Sequence, residues 1–161
     1  MRFVVMVIGA TGMFLVGASQ VPSHVRLPVI AVVPGATVTQ PFGCSDLSLE
    51  PFDPSCPSHH MHKGIDLAAP TGTGVRSATS GTAITGFDPD GAGNFVLVVV
   101  DARVRVLYCH LSGFAVRPGD PVSPGQVIGF VGATGLATGP HVHLQIDVSG
   151  APVDPALFLG S

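Results

Sequence analysis

The sequence predicts an all-β fold, a compact antiparallel β-sheet domain. Three observations carry this. Glycine (21) and proline (15) are abundant among the 161 residues, and charged residues make up only 11%. The apolar, β-branched runs are short, and Gly, Pro, Asp or Ser bounds each of them, which is the pattern of strands and turns. Beyond the first twenty residues, no segment sustains an apolar period of 3.6 residues, so long amphipathic helices are not expected.

Taken in order, the chain opens with a distinct leader. Arg2 is its only charge, and Phe3 to Ala18 is apolar or small throughout. A positive start, an apolar middle and the small residues Gly17 and Ala18 fit a secretory signal peptide at 1–18. An uncleaved membrane anchor is the alternative. Sixteen helical residues rise about 24 Å, short of a bilayer core of roughly 30 Å. Either reading places the rest of the chain outside the cytoplasm. Residues 19–36 hold Pro22, Pro28, Pro34 and Gly35 and read as a linker or extended lead-in. The folded domain is expected over 37–159.

Within that domain, Cys44 and Cys56 flank an irregular stretch, SDLSLEPFDPS. Export permits disulfides, and a bridge here would close a short surface loop. Cys109 lies in an apolar run and reads as a small buried residue. Strands are expected at 75–77, 81–85, 94–100, 103–110, 127–131 and 141–148. Asp101-Ala102 suggests a tight hairpin between two of them. A helical turn is expected at 156–159. The run GFVGATGLATG lacks the Lys-Ser/Thr ending of a phosphate loop and reads as tight turns. Formal net charge is −3 with no basic stripe, which excludes a nucleic-acid partner.

Histidine placement carries the functional argument. There are seven: His24, His59, His60, His62, His110, His141 and His143. His24 falls in the lead-in and reads as solvated. In a strand, residues two apart share a face. His141 and His143 should therefore point the same way, about 6.6–6.8 Å apart. One could bind a metal while the other meets its water, or the two could simply lie on a half-exposed strand. His62 and Asp66 would stand about 13 Å apart in a straight strand. A bend at Gly64 would bring them together, because glycine reaches backbone angles that other residues avoid; the alternative is that Asp66 caps a turn and His62 is a surface residue. Two imidazoles and one carboxylate form a recurring catalytic zinc set with a fourth position open for water. Two further histidines on strand-like segments favour chemistry over a closed structural site.

At this point a family resemblance appears. VTQPFG (38–43), HKGIDLAAPTGTGVRSATSGTAITG (62–86), YCHLSGFAV (108–116), RPGDPVSPGQVIGFVGATGLATGPHVHLQI (117–146) and VDP (153–155) occur in order. They resemble the landmarks of a lysostaphin-type zinc metallopeptidase domain, a family of peptidoglycan endopeptidases. The resemblance implies a groove with Zn2+ at its floor. It implies His62, Asp66 and His143 as metal ligands, and His110 and His141 beside the catalytic water and scissile carbonyl. Peptidoglycan stem peptides or cross-bridges would be the substrate, cut by a secreted monomer that touches a membrane only through residues 1–18 if these are retained.

Some residues depart from that pattern or stay open. Cys109 stands where Ala or Met often precedes the histidine. The Cys44–Cys56 stretch resembles an insertion shaping one groove wall. His59 and His60 are exposed loop residues or an extra ligand and substrate guide. Asp147 and Asp154 read as surface charges or as acceptors behind a ligand histidine. Asn94 and Tyr108 could line the groove, and Tyr108 could equally be core. Arg103 and Arg105 read as a solvated strand face. The alternative function is a non-catalytic, wall-peptide-binding regulator of other hydrolases. The presence of all five site residues weighs against it. A zinc peptidase acting on proteins differs only in its substrate.

Overall fold

A computed structural model describes residues 26–160. The leader at 1–18 and His24 lie outside the described residues. The first element is a short helix, Val29–Val32 (α1). Strands then follow one another. Thr37–Gln40 (β1) and Gly43–Cys44 (β2) precede the cysteine loop, and Met61–His62 (β3) and Ile65–Ala68 (β4) follow it. Next come Gly74–Arg76 (β5), Gly81–Asp88 (β6), Gly93–Val99 (β7) and Val104–Leu111 (β8). Gly113–Phe114 (β9), Pro121–Val122 (β10), Val127–Phe130 (β11), His141–Val148 (β12) and Ala151–Val153 (β13) complete the sheets. A last helical turn, Pro155–Leu159 (α2), ends the fold. Asp154 caps it, its carboxylate accepting from the Ala156 N–H at 2.8 Å. That is a capping role rather than a free surface charge.

The main sheet runs in the order β1-β4-β12-β8-β7-β6-β10, with β13 paired to β12, and its pairs are antiparallel. A second sheet, β5-β11-β9, packs beside it. The all-β antiparallel expectation therefore holds. The expected hairpin between β7 and β8 forms, with the Asp101 carboxylate accepting from the N–H groups of Arg103 and Val104. Arg103 and Arg105 are exposed, as a solvated face requires.

Strand alternation makes the main sheet two-sided. Ile65 and Leu67 of β4, Val142, Leu144 and Ile146 of β12, and Val106 and Tyr108 of β8 face the core and are buried. Burying each such aliphatic side chain contributes about 1.5–3 kcal/mol. Tyr108 is wholly buried, and its hydroxyl oxygen accepts from the Ala78 N–H at 2.7 Å. It is core, with no exposed hydroxyl. The alternate residues Asp66, His141, His143 and Gln145 come up on the other face.

Part of the expected linker belongs to the body of the fold. Val29, Val32 and Val33 are buried in the core, and the Val29 N–H donates to the Gly160 carbonyl at 3.0 Å. A four-residue helix is too short to show a period in sequence, which is why the segment reads as a lead-in.

Cys44 and Cys56 are joined by a disulfide, and Cys109 is a buried free thiol, both as expected. Among the described residues, no helix is long and apolar enough to cross a membrane.

Candidate metal centre

The pairing of β12 with β4 sets His143 directly opposite Asp66 and His141 opposite Ala68. β4 begins just after a break in the strand at Lys63-Gly64, so His62 of β3 turns back toward Asp66. His62 Nε2 lies 3.1 Å from Asp66 Oδ1 and 2.9 Å from His143 Nδ1. His143 Nδ1 lies 3.1 Å from the same carboxylate oxygen. Three donor atoms from three strands thus form a triangle with nearly equal sides.

The bend at Gly64 is present, but its cause differs from the expectation. Gly64 is absent from the residues with a left-handed backbone. What excludes a side chain is space. A Cβ there would lie 2.5 Å from the Leu144 carbonyl oxygen and 2.7 Å from His143 Nε2. Glycine is needed because the third donor packs against its α-carbon.

The donor set fits a small divalent ion. His62 Nδ1–H donates to the Pro41 carbonyl at 2.9 Å, leaving Nε2 with a lone pair. Three lone-pair atoms at this separation repel one another unless a proton or cation is shared among them. A tetrahedral ion with bonds near 2.1 Å would space its ligands about 3.4 Å apart, a few tenths of an ångström wider than here. The ionisation of the groups agrees. For Asp66, burial favours the neutral acid and is the largest single influence. The hydrogen bonds and charges of His143 and His62 outweigh it and hold the carboxyl well below the usual carboxylate range. For His62, burial again opposes charge most strongly, and Asp66 together with the Pro41 carbonyl reverses it, raising the pKa. Among the described residues, His62, Asp66 and His143 are the group able to hold a metal.

His110 and His141 stand beside this triangle without joining it. Their ring centroids are 4.7 Å apart. His141 Nδ1–H donates to the Gly139 carbonyl at 2.8 Å, and its Nε2 lies 3.7 Å from Asp66 Oδ2. His110 Nδ1–H donates to the Thr134 carbonyl at 2.9 Å. Each ring is therefore fixed through Nδ1 and, when neutral, presents a bare Nε2. Burial is the main cause that lowers the pKa of His110, helped by the neighbouring His141 and His143.

His110 reaches this face through a backbone irregularity. Simple alternation along β8 would point it into the core beside Tyr108. Val96 pairs with Tyr108 while Asn94 pairs with Leu111, so β8 carries one extra residue there. His110 sits at φ 62° within this bulge. Bulges of this kind re-aim side chains next to functional sites.

Two contributors were not foreseen. Thr134 accepts the Asn94 N–H at its Oγ1 and donates that hydroxyl to the Leu111 carbonyl, while its own carbonyl holds His110. Asn94 itself donates to the Leu111 carbonyl and braces the bulge rather than lining the groove. Gln145 makes a long, 3.5 Å contact to His143 Nε2 and donates to Asp147 at 2.9 Å. Asp147 therefore supports the ligand face at one remove. The signal for Gln145 was available, since it continues the His141, His143 alternation by one step. His59 and His60 lie apart. His59 is exposed and stacks on Phe52, and His60 Nδ1–H donates to the Glu50 carbonyl.

Together these groups floor a groove of about 390 Å3 that Leu47, Leu49, Glu50, Asp90 and Leu136 help to line.

Known proteins resemble this chain over most of the folded region. The DD-carboxypeptidase/endopeptidase Mpg of Neisseria meningitidis serogroup B is 40% identical over 118 residues, covering 73% of this chain and 26% of its own length. The glycyl-glycine endopeptidase ALE-1 of Staphylococcus capitis is 43% identical over 86 residues, 52% of this chain and 24% of its own. The catalytic domain of lysostaphin from Staphylococcus simulans superposes with a TM-score of 0.65 at 32% identity, covering 78% of this chain and 93% of that domain. The chain thus spans about a quarter of the length of the curated relatives it matches. Residues 60–155, which include the four histidines and the aspartate of the centre, match Peptidase family M23, and this chain belongs to that family.

Proposed function

We propose that this chain is a zinc-dependent endopeptidase that hydrolyses peptide bonds in bacterial peptidoglycan. One observation carries the reading. Three donor atoms lie 2.9–3.1 Å apart at the floor of a groove, and two further imidazoles outside the triangle sit next to them. A closed structural zinc site would use a fourth protein ligand and would have no work for those two rings. His62, Asp66 and His143 are the proposed ligands, and zinc is the ion that best suits a nitrogen-rich set of three.

When bound, the ion supplies Lewis acidity and makes water acidic enough to ionise near neutral pH. The remaining work falls to the protein. His110 and His141, each anchored through Nδ1, hold Nε2 ready to accept the proton of the attacking water or to donate to the departing amine. Asp66, kept ionised, adds negative charge to the ligand set. The groove walls hold the peptide extended over the floor.

The family and the names of the relatives support a peptidoglycan substrate and action outside the cytoplasm. From the sequence we further propose 1–18 as a signal peptide or anchor, 19–36 as a lead-in whose helix α1 joins the core, and 37–159 as the catalytic domain, acting as a monomer. The test joins metal analysis to digestion of purified peptidoglycan, with and without chelator. One zinc per chain and chelator-sensitive release of new amine termini are expected. Absence of zinc would defeat the ligand assignment.

A further inference from the structure

The walls of the groove carry leucines at their rims, set among charged residues such as Glu50, Lys63 and Asp90. Leu47 and Leu49 stand on the loop closed by the Cys44–Cys56 disulfide. That loop is pinned to β1, where Gln40 Nε2 donates to Ser45 Oγ at 3.1 Å and to Glu50 Oε1 at 2.9 Å. Leu136 stands on the turn leading into β12, held by its N–H donating to the Gly91 carbonyl at 2.9 Å. In the main sheet, β1 and β4 lie on one side of β12, and β8, β7 and β6 lie on the other. The first wall rises beside β1 and β4. The second is tied to the turn between β6 and β7. Leu47 and Leu49 therefore flank the histidine floor on the side opposite Leu136. The three leucines are 51%, 55% and 50% exposed.

Half-exposed leucines at the rim of a polar groove gain free energy only if a ligand brings carbon atoms to cover them. A glycine-only segment offers only its backbone methylenes and no side chain. It also loses more backbone freedom than any other residue when it is held extended. An alanyl segment offers a methyl group on each residue and loses less freedom.

Resting on the peptidase reading, we propose that Leu47, Leu49 and Leu136 are specificity-determining residues. They select peptides that carry a methyl or larger side chain beside the cleaved bond, as an alanyl cross-link does, over an all-glycine bridge. Overall likeness does not make this choice, because a DD-endopeptidase and a glycyl-glycine endopeptidase resemble the chain to a similar degree. The lining of the groove does.

The experiment compares kcat/KM of the zinc-loaded full chain on two substrates: a D-alanyl cross-linked stem-peptide dimer and the corresponding pentaglycine-bridged dimer. A preference of about tenfold or more for the alanyl substrate is expected, the usual worth of a methyl group in an apolar site. In the double variant Leu49→Ser, Leu136→Ser, this ratio should fall towards one. Half-exposed positions tolerate such changes with little loss of stability. A second readout needs no turnover. Carbon-13 methyl spectra of leucine-labelled protein should shift at these leucines with tri-D-alanine and not with triglycine. Equal or greater hydrolysis of the glycine substrate, a ratio unchanged in the double variant, or equal methyl shifts with both tripeptides would each overturn the proposal. If the methyl shifts discriminate and neither dimer is cut, the selectivity stands and the peptidase reading fails.

Discussion

Replacing Gly64 with alanine is the sharpest test of how the centre is built. The added methyl would lie 2.5 Å from the Leu144 carbonyl oxygen, 2.7 Å from His143 Nε2 and 2.8 Å from His143 Cε1. Comfortable carbon contacts begin near 3.5 Å, so the intrusion is about 0.7–1 Å. The carbonyl belongs to backbone paired in the β4–β12 ladder and cannot yield without breaking that pairing. The imidazole is the softer neighbour and should swing away. Ligand bonds near 2.0–2.1 Å do not survive a displacement of that size, so His143 is lost as a donor. Zinc affinity should fall by at least about 10–100-fold, the effect of disturbing an orienting contact. Folding stability should fall by about 1–3 kcal/mol, as for other overpacked sites. A competition titration against a chromophoric chelator reads the first, and urea unfolding of the metal-free chain reads the second. Zinc affinity equal to that of the parent chain would refute the claim that Gly64 is there to make room for His143.

Other expectations follow from the same geometry. His143→Ala should lose both metal and turnover, whereas His141→Ala should keep zinc and lose most turnover. Equal loss of zinc in both variants, by atomic absorption, would dissolve the division of roles. Gln145→Leu removes the brace behind His143 and should weaken zinc binding about tenfold with little change in the melting temperature. Cys44→Ser with Cys56→Ser opens a loop with a sequence separation of 12. Chain entropy gives a cost of about 3 kcal/mol, measurable as a lower denaturant midpoint under non-reducing conditions. Alkali should unfold the chain. Burial pushes the Tyr108 hydroxyl from 10.0 up to about 12 and the Cys109 thiol from 9.0 up to about 12. Between those limits the folded chain keeps protons that the unfolded chain has released. Stability is therefore full below about pH 9 and lost as pH rises toward 12. Unfolding midpoints that stay level across pH 9–12 would contradict the burial of both groups.

Two local rules brought the candidate ligands into view. Alternation put His141 and His143 on one face, and the four-residue spacing of His62 and Asp66 around a glycine allowed a bend. The family resemblance chose between the two histidines of the pair. What brings the two halves together, the β4–β12 pairing, is a contact between distant segments that no local pattern encodes. Nor does alternation find the true orientation of His110, since it is the bulge that reverses it. The buried valines of α1 escape notice because a four-residue helix shows no period. The Asp154 cap and the Thr134 brace act by pairing with backbone groups, and a sequence shows side chains rather than backbone partners.

The bulge at His110 has a consequence for how the chain can drift over time. A histidine at φ 62° carries a steric penalty of about 1–2 kcal/mol that glycine would not, and asparagine accepts this conformation more readily than most residues. Mutation to either residue relieves that strain, removes an imidazole from the groove and gives up the bond to the Thr134 carbonyl and the packing of a buried ring. In a copy of this domain released from selection for hydrolysis, relief of the strain offsets part of what loss of His110 costs, which makes this position easier to lose than a buried histidine in ordinary strand backbone. Domains of this kind that only bind wall peptides would be expected to bear glycine or asparagine at this position more often than chance allows.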